Sequence, residues 1–192
     1  MNTSKPSPRN AETITLGGGC FWCTDAVFRQ VQGVLAVQCG YCNGTVEAPS
    51  YEQVCTGRTG HAEVVRVVFD PAVIGLEDLL TIFFAIHDPT TLNAQGHDVG
   101  TQYRSGIYWH TPQQQALAQA LVERLEAEQV FDRPIVTEVL PERLYTAAED
   151  YHQNFFQKNP HQGYCLAVAA PKVDKLRRAF ARWVRAEPLA AC

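Results

Sequence analysis

Seven cysteines punctuate the chain, at Cys20, Cys23, Cys39, Cys42, Cys55, Cys165 and Cys192, and the first four read CFWC, fifteen residues, CGYC. Paired thiols at this spacing suit three chemistries. Four thiolates in two C-x2-C pairs can bind a structural zinc ion. Here aromatics fill both gaps, and a helix and a strand separate the pairs, so no metal site is expected. A C-x-x-C at a helix start can exchange disulfides as thioredoxin does, but Phe21-Trp22 stands where small residues, Gly or Pro are usual. The third chemistry is that of a single nucleophilic thiol. Cys20 follows a strand and Gly17-Gly18-Gly19 and heads a helix. Unpaired N–H groups and the helix dipole there favour thiolate, lowering the pKa from about 8.5 towards neutrality. The segment lacks the GxGxxG or GK[ST] of a phosphate loop. Phe21 and Trp22 instead wall the sulfur, as if to receive a small apolar group.

Such a thiol needs a proton donor. Glu63 opens the run HAEVVRVVF, and a carboxyl near aromatics has a raised pKa and holds its proton at neutral pH. Tyr51 and Tyr103 offer phenolic donors, and Asp98 lies in a long polar loop. Taken singly, each of these residues is more often structural.

The elements that must position them follow from periodicity. Strands are expected at Glu12–Leu16, Val34–Gln38, Ala62–Phe69, Ser105–Trp109 and Ile135–Leu140. Helices are expected at Phe21–Gln32, stopped by Gly33, and from Leu76 to about His87, with Glu77 and Asp78 in the first turn. A third helix starts after Thr111 as N-cap, with Pro112 at N1 and Gln114 completing a capping box; Leu117, Leu121 and Leu125 form its stripe. Ala147–Gln157 and Lys172–Arg185 are the remaining helices. Asp88–Arg104 is a seventeen-residue loop, and loops of that length inside a compact domain are usually functional. Thr45–Ser50 and His161–Ala170 read as loop, which makes Cys165 part of a mobile segment; Cys55 reads as strand-side packing. Strands and helices alternate, so the fold class is α/β (α+β), with helices covering one sheet.

Together GCFWC (19–23), SYEQV (50–54), TGHAEVV (59–65), HDPTTLNAQGHDVGTQYRSGIY (87–108), AEDYHQNF (148–155) and NPHQGYC (159–165) resemble the A-class peptide methionine sulfoxide reductases from about Thr13 to Lys175. The resemblance implies a two-layer sandwich around a mixed β-sheet, selectivity for the S epimer of the sulfoxide, and no cofactor. It implies that Cys20 attacks the sulfoxide sulfur, Phe21 and Trp22 cup the methyl group, Glu63 protonates the sulfoxide oxygen, Tyr51 and Tyr103 hydrogen-bond it, and Asp98 organises the site. The product sulfenic acid needs a second thiol, and thioredoxin would reduce the resulting disulfide. Cys165 matches the family's resolving position. Cys23 stands where many members have Gly and competes for the role, and Cys192 could relay the disulfide onward. Cys39 and Cys42 have no counterpart.

The chain has 192 residues, 46% hydrophobic and 19% charged, with a net charge of −4. That size supports one core without disulfides, and the charge offers no footprint for nucleic acid. The longest apolar run, Leu79–Ile86, is too short for a membrane span, and the N-terminus has no signal-like apolar region. An odd cysteine count suits a reducing cytoplasm. The expected organisation is a flexible tail over 1–10, a catalytic domain over 11–170, and a basic helix and tail over 171–192, in a monomer acting on oxidised proteins and free methionine sulfoxide. Six basic residues (Lys172, Lys175, Arg177, Arg178, Arg182, Arg185) crowd that last segment. They read as a solvated face, or else as a dock for an acidic partner.

Overall fold

A computed structural model describes residues 10–190, so the expected N-terminal tail, apart from Asn10, lies outside the described residues, as does Cys192. Three strands make the middle of a six-stranded sheet: β1 (Glu12–Gly17), β2 (Val34–Cys42) and β3 (Ala62–Phe69). With β6 (Gly106–Trp109), β7 (Glu138–Pro141) and β8 (Thr146–Ala147) the order is β7-β6-β1-β3-β2-β8. Only β6 and β7 run parallel; the other pairings are antiparallel. Parallel pairing requires a crossover, supplied by α4 (Pro112–Ala127). The other helices of at least eight residues are α1 (Phe21–Phe28), α3 (Leu76–Ile86) and α6 (Ala170–Ala179). Residues two apart on a strand share a face. Val65, Val67 and Phe69 join the core beneath the helices, whereas Ala62 and Val64 pack with Tyr108 on the other face. The result is a two-layer α/β sandwich on a mixed sheet.

The long loop holds more structure than its composition suggests. It contains a two-residue-per-strand hairpin, β4 (Ala94–Gln95) with β5 (Asp98–Val99), and a 3-10 turn over Thr101–Tyr103. Gln95 pins it by accepting from the Asp88 amide at 3.1 Å and donating to the Asp88 carbonyl at 3.0 Å.

Five expectations are corrected. The first helix ends at Phe28, because the following residues pair with the C-terminal segment: Val31 bridges Val184 and the Gln32 amide donates to the Trp183 carbonyl. A helix α2 (Tyr51–Cys55) occupies a stretch with no expected element. Ser50 and Gln53 cap it reciprocally, with amide–side-chain bonds of 2.9 and 3.3 Å, and Cys55 is exposed on it rather than packed beside a strand. Ala147–Gln157 is not one helix; left-handed Asn154 (φ 56°) separates a 3-10 turn from α5 (Phe155–Lys158). The segment around Cys165 is helical from Gly163, passing through a π turn (Cys165–Ala169) into α6, and the expected domain boundary at 170 falls inside this run. Cys165, Ala169, Val173 and Leu176 are buried along one stripe of it. Pro171 lacks an N–H, and the wider turn absorbs the missing bond. Finally, Gln114 does not complete a capping box. Its amide donates to Thr111 Oγ1 at 3.3 Å, but its side chain accepts from the His110 amide instead.

Candidate active site

The sheet and α1 meet at Cys20. β1 ends in the glycine run, Gly19 takes φ +89°, and Cys20 occupies the N-cap of α1. Glu63 lies on β3 two residues before Val65, so the alternation of the strand aims it at the same end of α1. The Phe21 amide donates to Glu63 Oε2 at 3.2 Å, spending one of the unpaired N–H groups of the helix start on the carboxyl. Tyr51 opens α2, its amide held by Glu149 Oε1 at 2.9 Å. The long loop delivers Asp98 from β5 and Tyr103 from the 3-10 turn. Cys20, Phe21, Trp22, Tyr51, Glu63, Asp98 and Tyr103 all line one cavity of about 180 Å³, with Tyr164 as the eighth member.

Three aromatic supports went unassigned in the sequence. Trp22 stacks on Phe155 with centroids 3.8 Å apart, and its indole N–H donates to His152 Nδ1 at 3.0 Å. His152 is fully buried, burial pulls its pKa below the ordinary value, and accepting the indole N–H requires a bare Nδ1. The Tyr164 hydroxyl donates to Asp98 Oδ2 at 2.6 Å and lies 3.8 Å from Cys23 Sγ. All three lie in the motifs AEDYHQNF and NPHQGYC; the signal was an aromatic or His within a segment already tied to the site.

Burial dominates the electrostatics. It pushes the Glu63 carboxyl up to about 8, against the hydrogen bond from Phe21 that pulls down. It raises both Tyr51 and Tyr103, keeping them as phenol donors. It also raises Cys20 well above its ordinary value, with Cys23 and Glu63 pushing the same way. Cys20 was expected to be lowered by the helix N-terminus. Desolvation works against that effect. The hydrogen bond from Cys20 lowers Cys23, so Cys23 is the readier thiolate of the pair.

Residues 12–183 match the family described as peptide methionine sulfoxide reductase. A peptide methionine sulfoxide reductase MsrA from Polynucleobacter asymbioticus is 56% identical over 169 residues, 88% of this chain and 89% of that protein. The chain belongs to the peptide methionine sulfoxide reductase family. It is therefore an oxidoreductase acting on methionine sulfoxide. Among solved structures, Mxr1 from Saccharomyces cerevisiae in reduced form superposes with a TM-score of 0.76 at 37% identity, covering 84% of this chain and 92% of that one. Mxr1 in complex with Trx2 superposes at 0.54 and 26% identity, covering 80% and 90%.

The remaining cysteines of the reductase divide by position. Cys39 and Cys42 are three apart on β2 and fall on opposite faces, Cys39 in the helix-side core and Cys42 beside Ala62, Val64 and Tyr108. Four thiols at two C-x2-C pairs thus never converge, which removes the zinc reading. Cys165 is fully buried in the π turn rather than in a loop, and the thiol that perturbs it is Cys23, not Cys20.

Proposed function

We propose that the eight-residue cavity reduces the S epimer of methionine sulfoxide, free or in polypeptides, and that the observation carrying this reading is a sulfur enclosed with a neutral carboxyl and two phenols. A sulfoxide oxygen leaves only when protonated, and Glu63 holds a proton at neutral pH. Trp22, fixed by Phe155 and His152, and Phe21 receive the methyl group. Tyr51 and Tyr103 hydrogen-bond the oxygen, and Asp98, held by Tyr164, organises the mouth. Cys20 Sγ attacks the sulfoxide sulfur as its proton passes to the Cys23 thiolate, while Glu63 protonates the oxygen. The oxygen ends on Cys20 as sulfenic acid, the thioether is released, and Glu63 is left as carboxylate. The Cys23 thiol then attacks Cys20 Sγ, expelling water and forming the Cys20–Cys23 disulfide.

We favour Cys23 over Cys165 for that step, since Cys20 and Cys23 perturb each other's titration and Cys165 responds only to Cys23. Cys165 lies next in line, beside Cys23, and can pass the disulfide outward by exchange. A thioredoxin-like dithiol is the reductant we propose, on the likeness to Mxr1 bound to Trx2. Cys192, outside the described residues, would act as a further relay by taking the disulfide from Cys165 in a second exchange. We propose a cytoplasmic monomer, the odd cysteine count suiting a reducing compartment.

The test is turnover of separated epimers of N-acetyl methionine sulfoxide amide with dithiothreitol. Cys20→Ser is expected to be inactive, and full activity in that variant overturns the reading. Free thiols counted after one turnover assign resolution. Cys23→Ser should stop disulfide formation, whereas Cys165→Ser should form it at the wild-type rate.

A further inference from the structure

A second cavity, of about 650 Å³, adjoins the catalytic one. Gln95, Gly96 and His97 of the β4–β5 hairpin make one wall; Ala167, Val168, Pro171 and Lys172 of the π turn and α6 make the other. Asp98 and Tyr164 line both cavities and so form the partition between them. The volume is several times what the catalytic cavity offers, and lies in the range typical of ligand sites.

Three features suit an extended polypeptide there. Ala167, Val168 and Pro171 give the helical wall an apolar lining. A Cβ built on Gly96 or Gly163, both lining the cavity, meets no atom within 4 Å, so the main chain of a ligand can lie against the wall. Lys172 is half-buried and makes no hydrogen bond or ion pair among the described residues. Of its basic neighbours, Arg177 bonds Gln30 Oε1, Arg182 bonds Asp78 Oδ1 and Arg185 bonds the Val34 carbonyl, while Lys175 and Arg178 do not line the groove. The one carboxylate lining the groove, Asp98, already accepts the Tyr164 hydroxyl.

We propose that this groove holds the polypeptide flanking the oxidised methionine and selects an acidic side chain, which meets Lys172. The inference rests on the reductase reading of the catalytic cavity and extends it to the substrate's neighbouring residues. A free amino acid fills the catalytic cavity alone, so the groove acts only on peptide and protein substrates. An extended chain covers ~3.3–3.6 Å per residue, which puts a side chain one or two positions from the sulfoxide within the groove.

The experiment measures kcat/KM with dithiothreitol as reductant, for peptides carrying Glu or Lys two positions before or after methionine sulfoxide, and for the blocked amino acid. On one side of the sulfoxide the Glu peptide is expected to exceed the Lys peptide about fivefold, as for a half-exposed ion pair. Lys172→Glu should invert that ratio, and Ala167→Trp should raise KM for both peptides relative to the blocked amino acid. Added salt should shrink the preference. Activity on the blocked amino acid with equal rates for Glu and Lys peptides sinks this proposal alone. A charge preference seen only with thioredoxin as reductant assigns the groove to the reductant and overturns it. A chain inert on every sulfoxide sinks the reductase reading, and this proposal with it.

Discussion

Glu63 is the proposed carrier of the proton on which sulfoxide chemistry depends, and burial raises its pKa. Its value of about 8 lies well above the ordinary 4.5. The sulfoxide-reduction step is therefore expected to lose rate as pH rises through about 8, when the carboxyl ionises. Glu63→Gln should be slower by about 10²–10⁴-fold and should lack that descending limb in single-turnover measurements. A variant with wild-type rate would show that the proton comes from elsewhere. The same burial makes a stability prediction with a definite sign. Between pH 4.5 and 8 the folded state keeps a proton that the unfolded chain has released, so stability falls as pH rises, by about 1.4 kcal/mol per unit at most. Glu63→Gln does not titrate, so its stability relative to wild type should climb across that window in urea unfolding. A constant difference would mean that the folded carboxyl is ionised.

At the scale of elements, the β1–α1 junction and the long loop are one construction. Gly19 at φ +89° turns the chain onto α1, and a Cβ there would sit 2.6 Å from Gln95 Cγ. Gln95 holds Asp88 through both its amide atoms and pairs in register with Asp98. Gly19→Ala should therefore cost ~1–2 kcal/mol for the left-handed backbone alone, plus the displacement of Gln95. It should also raise KM for blocked methionine sulfoxide by moving Asp98. If thermal unfolding drops but KM holds, loop and junction are not coupled. Helix α2 offers a contrast: its capping box was written in SYEQ and could have been read from sequence, yet a five-residue helix leaves too little periodicity to notice.

For the molecule as a whole, the far end of α1 matters as much as the end bearing Cys20. Arg29 is buried, bonds both Asp25 oxygens at 2.8 and 2.9 Å, and donates to the Val37 and Ala190 carbonyls. One side chain thus joins α1, the sheet and the C-terminal segment. Burial raises Asp25 to about 6 despite the guanidinium. Arg29→Leu strands that carboxylate and should cost ~3–5 kcal/mol. The loss should be larger at pH 8 than at pH 5, where Asp25 can take up a proton. Adding Asp25→Leu should recover most of it, because no buried charge then remains. Equal losses at both pH values would show that Asp25 is neutral throughout.

What the sequence determined by itself was local or carried by ordered motifs. β3 was legible to the residue because a run rich in β-branched residues, closed by Asp70-Pro71, needs no outside information. That Cys20, Phe21, Trp22, Tyr51, Glu63, Asp98 and Tyr103 share one cavity was legible because motifs far apart in the chain agreed with one family. Tertiary structure alone decided the rest. Spacing could not show how Cys23 and Cys165 lie to one another, since only folding brings residues 23 and 165 together and turns the supposed loop around Cys165 into buried helix. Nor could it set the protonation of Cys20. A helix start favours thiolate, but how much water the fold removes and which carboxyl it brings alongside are properties of packing, and they push the other way here.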